Sequence, residues 1–191
     1  MENLISVSAV NDIININKLL SFAVYVDKKS TGVIQLEFND NDIYVVGTSG
    51  YVVVKKRLEL PPQLFYEFSD NNKKVLINIP ENTSKFVDNK NDILFSMFEN
   101  KLIFKSSTEY LECNIIKNAD FPDYQKVVDG FKKGKQDKIK INLDLVHLAQ
   151  KALGIKECNI TFGEHAAQIK ITSEYYPGTY AYVMLMRNEN K

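Results

Sequence analysis

The chain has 191 residues, enough for a full hydrophobic core, and its 45% apolar and 25% charged content is ordinary for a soluble globular protein. Its 24 basic and 24 acidic residues cancel, so any attraction to a polyanion has to come from a local patch and not from the bulk field. No apolar run approaches the ~20 residues of a membrane helix, and no basic region followed by an apolar core marks a signal peptide, so we expect a cytoplasmic protein with no membrane partner.

In chain order, "LISVS" reads as a short strand and "AVNDIININKLLSFAVYV" as a helix, with Ile13, Ile16, Leu20 and Val24 at helical spacing. Residues 33–49, "VIQLEFNDNDIYVVGTS", are two alternating runs around a polar Asn-Asp-Asn-Asp turn, which is a hairpin signal. "YVVVKKRLEL" adds a further strand. The series then repeats. "KVLINIP" is a strand, "ENTSKFVDN" a short helix, "DILFSMFENKLIFKSS" a hairpin and "EYLECNIIK" a strand. It repeats once more with "KIKIN" as a strand and "LDLVHLAQKALG" as a helix, with Gly154 as its stop. The hairpin "CNITFGEHAAQIKITS" and the strand "TYAYVMLMR" complete this third copy.

Three copies of strand–helix–three strands thus recur at a spacing of roughly 60 residues. Each has one amphipathic helix and a sheet with one apolar face, so none can bury itself alone. The fold class is α+β, with helices lining one side and antiparallel sheets the other. Residues 1–128 form one complete two-unit domain, and residues 129–191 form a linker plus half a domain. The stretch "NADFPDYQKVVDGFKKGKQDK" reads as an exposed linker between them.

The chemistry of catalysis is missing from the pattern. There is no nucleophile–base spacing, no HExxH, no P-loop and no Gly-x-Gly-x-x-Gly. Cys113 and Cys158 lie far apart without metal-ligand spacing and read as free thiols. We expect a protein that is not an enzyme, with no cofactor and no metal.

Three segments resemble the bacterial DNA sliding clamp, the polymerase III beta subunit. "VGTSGYVVV" is similar to the Ala-Thr-Asp-Gly-His-Arg-Leu strand end of that family's middle domain, "DFPDYQKVV" to the Phe-Pro-Asp-Tyr segment joining its middle and last domains, and "YAYVMLMR" to its carboxy-terminal Tyr-Val-Val-Met-Pro-Met-Arg strand. They occur in family order on a DNA-clamp-like repeat. By this resemblance the chain is a shortened, divergent member, of the kind a phage or mobile element encodes, with one and a half of the family's three domains missing. Asp-Gly-His-Arg is replaced by Ser49-Gly50-Tyr51-Val52, and Met-Pro-Met by Met184-Leu185-Met186.

In the family these segments converge on a groove for a short linear peptide of polymerases and clamp loaders. The resemblance puts Thr31, Thr48, Gly50, Tyr51 and Val53 on one wall. It puts Pro122, Lys126 and Val127 on the floor, and Tyr182, Val183, Met184, Leu185, Met186 and Arg187 on the other wall. Methionines offer a deformable lining for several ligands. Strand alternation sets Met184 and Met186 on one face and Val183, Leu185 and Arg187 on the other, so the methionines could equally fill a core between layers. The loss of His and Arg beside Gly50 implies a more apolar groove with altered peptide preference.

The resemblance also implies double-stranded DNA as a sequence-independent partner, met by the helices. Asn11, Asn15 and Lys18 on the first helix, Lys85, Asn89 and Lys90 on the second, and His147, Gln150 and Lys151 on the third are the candidates, as phosphate contacts that carry no sequence information. A solvated polar face is the plainer reading of each. Family rings hold twelve units, so four three-unit chains would close one. The expectation is a homo-oligomer, a tetrameric ring first and a dimer through paired half-domains second. The competing reading is a clamp-like interaction module, a polymerase or transcription accessory or inhibitor, that does not encircle DNA.

Overall fold

Residues alternating between apolar and polar become one long sheet, and residues at helical spacing become a layer on one of its faces. The computed structural model describes residues 3–5, 7–21, 32–39, 42–58, 74–80, 93–98, 100–107, 109–117, 121–135, 139–164 and 167–185. The first unit comprises β1 (Asn3–Ile5), α1 (Val7–Ser21), β2 (Val33–Asn39), β3 (Asp42–Thr48) and β4 (Val52–Leu58). The second has β5 (Lys74–Asn78), β6 (Ile93–Phe98), β7 (Lys101–Lys105) and β8 (Tyr110–Ile116). Its expected helix, 81–89, lies outside the described residues. A short helix, α2 (Gln125–Asp129), follows in the linker. The third unit has α3 (Leu143–Leu153), β9 (Asn159–Phe162), β10 (Gln168–Thr172) and β11 (Tyr180–Met184).

The eleven strands form one sheet in the order β1-β6-β7-β8-β5-β2-β3-β4-β11-β10-β9. Units one and two interlock reciprocally. The first strand of unit one, β1, lies on β6 of unit two, and the first strand of unit two, β5, lies on β2 of unit one. Unit three joins differently, through its last strand. β11 runs antiparallel to β4, with Ala181 opposite Val54 and Val183 opposite Val52.

One face of the sheet carries the main core. Ile13, Ile14 and Ile16 of α1 and Ala149, Ala152 and Leu153 of α3 are buried there with Val45, Val52, Val54, Ile169, Ile171 and Val183. α3 begins at Asn142, whose side chain accepts from the Asp144 N–H, and ends at Gly154 in the left-handed region (φ 69°), as its sequence predicts. A cation joins the layers. Lys56 of β4 is nearly enclosed and pairs with Asp12 of α1 at 2.7 Å. Its Nζ also lies beside Gly154, at the negative end of α3.

Two expectations change. "KIKIN" forms no strand, although Ile139 and Ile141 pack against the core. A strand exists only through a ladder partner, and among the described residues this segment has none. The linker is also less exposed than its Lys and Gly content suggests. Tyr124 is only 4% accessible because α2 docks on the opposite face of the sheet from α1 and α3.

Candidate functional site

Alternation along β3, β4 and β11 sends Val46, Thr48, Val53 and Tyr182 to the face away from the main core. There Val46, Val53, Tyr182 and Tyr124 form a second buried cluster, with Phe121, Val127, Val128, Phe131 and Tyr180 around it. Tyr182 makes edge-to-face contacts with Phe131 (5.3 Å) and Tyr180 (5.5 Å), and Lys170 Nζ sits over both tyrosine rings at 5.7 and 5.4 Å. A five-residue helix is too short to hold itself in water, so this packing is what forms α2.

Polar groups fasten the same junction. The Glu37 carboxylate on β2 accepts from the Tyr124 hydroxyl at 2.6 Å, from Lys55 at 2.7 Å and from the Gln35 amide at 2.7 Å. Burial alone would raise the Glu37 carboxyl, but the hydrogen bonds from Lys55 and Tyr124 outweigh it and hold it below the ordinary carboxylate value. Burial pushes the Tyr124 phenol up, and its bond to Glu37 adds to that. Burial likewise pushes Tyr180 up to about 12. Both tyrosines stay neutral, and Tyr124 acts as a donor.

Beyond the cluster runs an accessible row. The Tyr51 side chain is 45% exposed, and its carbonyl accepts from the Met184 N–H at 2.8 Å. Met184, 39% exposed, lies opposite Gln168 of β10. The Gln168 amide donates to the Val127 carbonyl at 3.5 Å. Pro122 and Lys126 are exposed beside the half-buried Val127. Thr48 is buried and its hydroxyl accepts from the Gly50 N–H at 3.3 Å, bracing the turn that presents Tyr51. Of the groove candidates, Thr48, Gly50, Tyr51, Val53, Pro122, Lys126, Val127, Tyr182 and Met184 therefore lie along one junction. Val183 and Leu185 turn to the main core and support the wall from behind. Met184 fills no core. Thr31, Met186 and Arg187 lie outside the described residues.

On the helix layer, α1 and α3 pack side by side. Asn15, Lys18, His147 and Lys151 are exposed, and Asn11 and Gln150 are half-buried. The Gln150 amide is engaged, donating to the Lys156 carbonyl at 2.9 Å. Lys85, Asn89 and Lys90 lie outside the described residues. Among the described residues no group of His, Cys, Asp and Glu could hold a metal ion, and no helix is long and apolar enough to cross a membrane.

Sequence reading missed Glu37, Lys55 and Gln168. Glu37 and Lys55 sit in alternating strands as ordinary polar residues, and nothing local shows that a linker nearly 90 positions away closes over them. Only the fold shows that the β2 run "VIQLEF" is buried at all six positions, and a strand covered on both faces needs a partner for any charge within it.

No family model matches the sequence, and no curated protein sequence matches it. Solved structures do match in fold. A putative DNA polymerase III beta subunit from Eubacterium rectale superposes with a TM-score of 0.66 at 14% identity, over 100% of this chain and 66% of that one. The DNA polymerase III beta subunits of Pseudomonas aeruginosa and Thermotoga maritima each superpose at a TM-score of 0.65 and 12% identity over 98% of this chain, covering 67% and 65% of theirs. The chain has the DNA-clamp fold and spans about two thirds of the length of these clamps.

Proposed function

We propose that the protein is a DNA sliding clamp, a polymerase processivity factor that encircles duplex DNA as a homo-oligomeric ring and tethers its polymerase and loader through short peptides. The observation that carries this reading is the fold: a continuous sheet with its described long helices on one face, shared with solved sliding clamps over the whole described chain. In such a ring the helices face DNA, with Asn15, Lys18, His147 and Lys151 meeting phosphates without reading bases. Peptides lie along the row from Tyr51 through Met184 to Val127, where apolar surface alternates with the amide of Gln168 and the ammonium of Lys126. The two-domain division at about residue 128 belongs to this reading, with the docked linker as groove floor. A tetrameric ring is the favoured assembly and a dimer the second. The reading makes the protein a cytoplasmic non-enzyme, independent of metal or cofactor.

Topology tests this. Loaded protein should remain on nicked circular DNA through a moderate salt wash and slide off once the circle is linearised. Equal retention on both forms, lost steeply with salt, would mean binding by surface charge alone. No retention on either form, with polymerase still captured, would favour the interaction module that never encircles DNA.

A further inference from the structure

The third unit has half of a reciprocal arrangement that the first two units complete with each other. In unit one, a three-residue strand, one intervening residue and then a helix form the donating end: β1 at 3–5, then α1 from Val7. β1 adds to the first three residues of the partner unit's second strand, Asn3 opposite Phe95 and Ile5 opposite Ile93. The third unit repeats the donating end with the same spacing: residues 139–141, Asn142, then α3 from Leu143. It also repeats the receiving edge. Among the described residues β9 is the last strand of the sheet, with β10 on one side only.

The open part of that edge has a defined extent. The linker closes its far end, where the Gly134 N–H donates to the Phe162 carbonyl at 3.0 Å and the Glu164 N–H to the Lys132 carbonyl at 2.7 Å. Gly134 passes so near that a Cβ there would come within 2.8 Å of the Glu164 backbone. Residues 159–161 are left, as residues 93–95 of β6 are where β1 adds. Because Phe162 presents its carbonyl outward, strand alternation turns the N–H and C=O of Ile160 outward as well. The rim of the core is apolar here. Ile160 is 41% and Leu143 73% exposed, with Ile139 and Ile141 half-buried.

We propose that two copies of the chain join through their third units, each lending residues 139–141 as a strand to the open edge of the other's β9. Only a partner with both a first strand to give and an edge to receive satisfies both halves, and a second third unit has both, so the contact is two-fold symmetric. Asn3 sits opposite Phe95, the β7 partner of which is the core residue Phe104, and Ile160 is likewise the partner of the core residue Ile171, so by this register Ile139 of each chain lies opposite Ile160 of the other. Two such dimers carry twelve units. The inference rests on the homo-oligomeric part of the reading above and specifies its contact.

Light scattering on the full chain tests it. The wild type should have twice the chain mass or a multiple of it. Ile160→Pro should halve that mass while the circular dichroism spectrum is retained, because the proline removes an N–H that points away from β10. A second arm uses chains with Cys158→Ser. An Ile139→Cys chain mixed with an Ile160→Cys chain should form a disulfide-linked pair on oxidation, since paired Cα atoms lie within bridging range. An Ile160→Pro variant of unchanged mass together with no cross-link would overturn this contact and leave the oligomer standing. A monomeric wild type would overturn both.

Discussion

The Glu37 carboxylate holds three donors from three elements while only 6% of its side chain meets water, and one of those donors is the hydroxyl of Tyr124 from the linker. Removing Lys55 would leave this buried charge with only the longer, 3.5 Å pair to the exposed Lys74, so Lys55→Met should lower stability by about 3 kcal/mol in urea unfolding. Tyr124→Phe removes one charge-assisted bond and should cost about 1.5–3 kcal/mol. The Glu37 carboxyl is held below its ordinary value, so its contribution is complete above the carboxylate titration range and is lost as pH falls through the folded-state value. Glu37→Gln should therefore flatten the acid limb of the stability profile. An unchanged acid limb would show that other carboxylates govern acid unfolding. None of this network was legible in the sequence, because its members are separated along the chain and each alone looks like a solvated strand residue.

At the scale of elements, hairpins and helix ends were the legible part. Polar turns between alternating runs located β2–β3, β6–β7 and β9–β10, and Gly154 located the end of α3, because these features depend on local backbone chemistry. What failed to follow from pattern depended on distant partners. The alternating Ile139 and Ile141 lack a ladder, and the Lys-rich linker docks through Tyr124 because a second apolar surface awaits it. Lys56 belongs to this class too. It bridges α1 to the C-terminal end of α3 across β4, so Lys56→Met should destabilise by about 1–2 kcal/mol. Asp12→Asn should remove part of that loss on its own, and a double variant no worse than Lys56→Met would confirm one shared interaction. Strict additivity would argue that the two residues act independently.

The third unit carries an apolar rim, and the proposed contact would tie stability to the partner that covers it. An obligate oligomer melts at a temperature that rises with protein concentration, because association stabilises only the folded form. We expect the Tm to climb over a hundredfold concentration range in differential scanning fluorimetry, and the Ile160→Pro variant to lose that slope. A wild-type Tm independent of concentration would speak for a self-sufficient monomer. The number of units and their fold class were legible from the repeat, whereas the joining of unit three to unit one was not, since any strand edge in the chain offers the same backbone groups.

The β4–β11 pairing has a consequence for synthesis on the ribosome. Val54 and Ala181 are neighbours in space but separated by most of the chain, and at synthesis rates of about 5–20 residues per second their pairing waits roughly 6–25 s. During that interval the nascent polypeptide carries β4 as a bare margin of Val-rich strand. The early units are thus open to chaperone capture or to mispairing with a neighbouring nascent chain until β11 arrives to cover that margin.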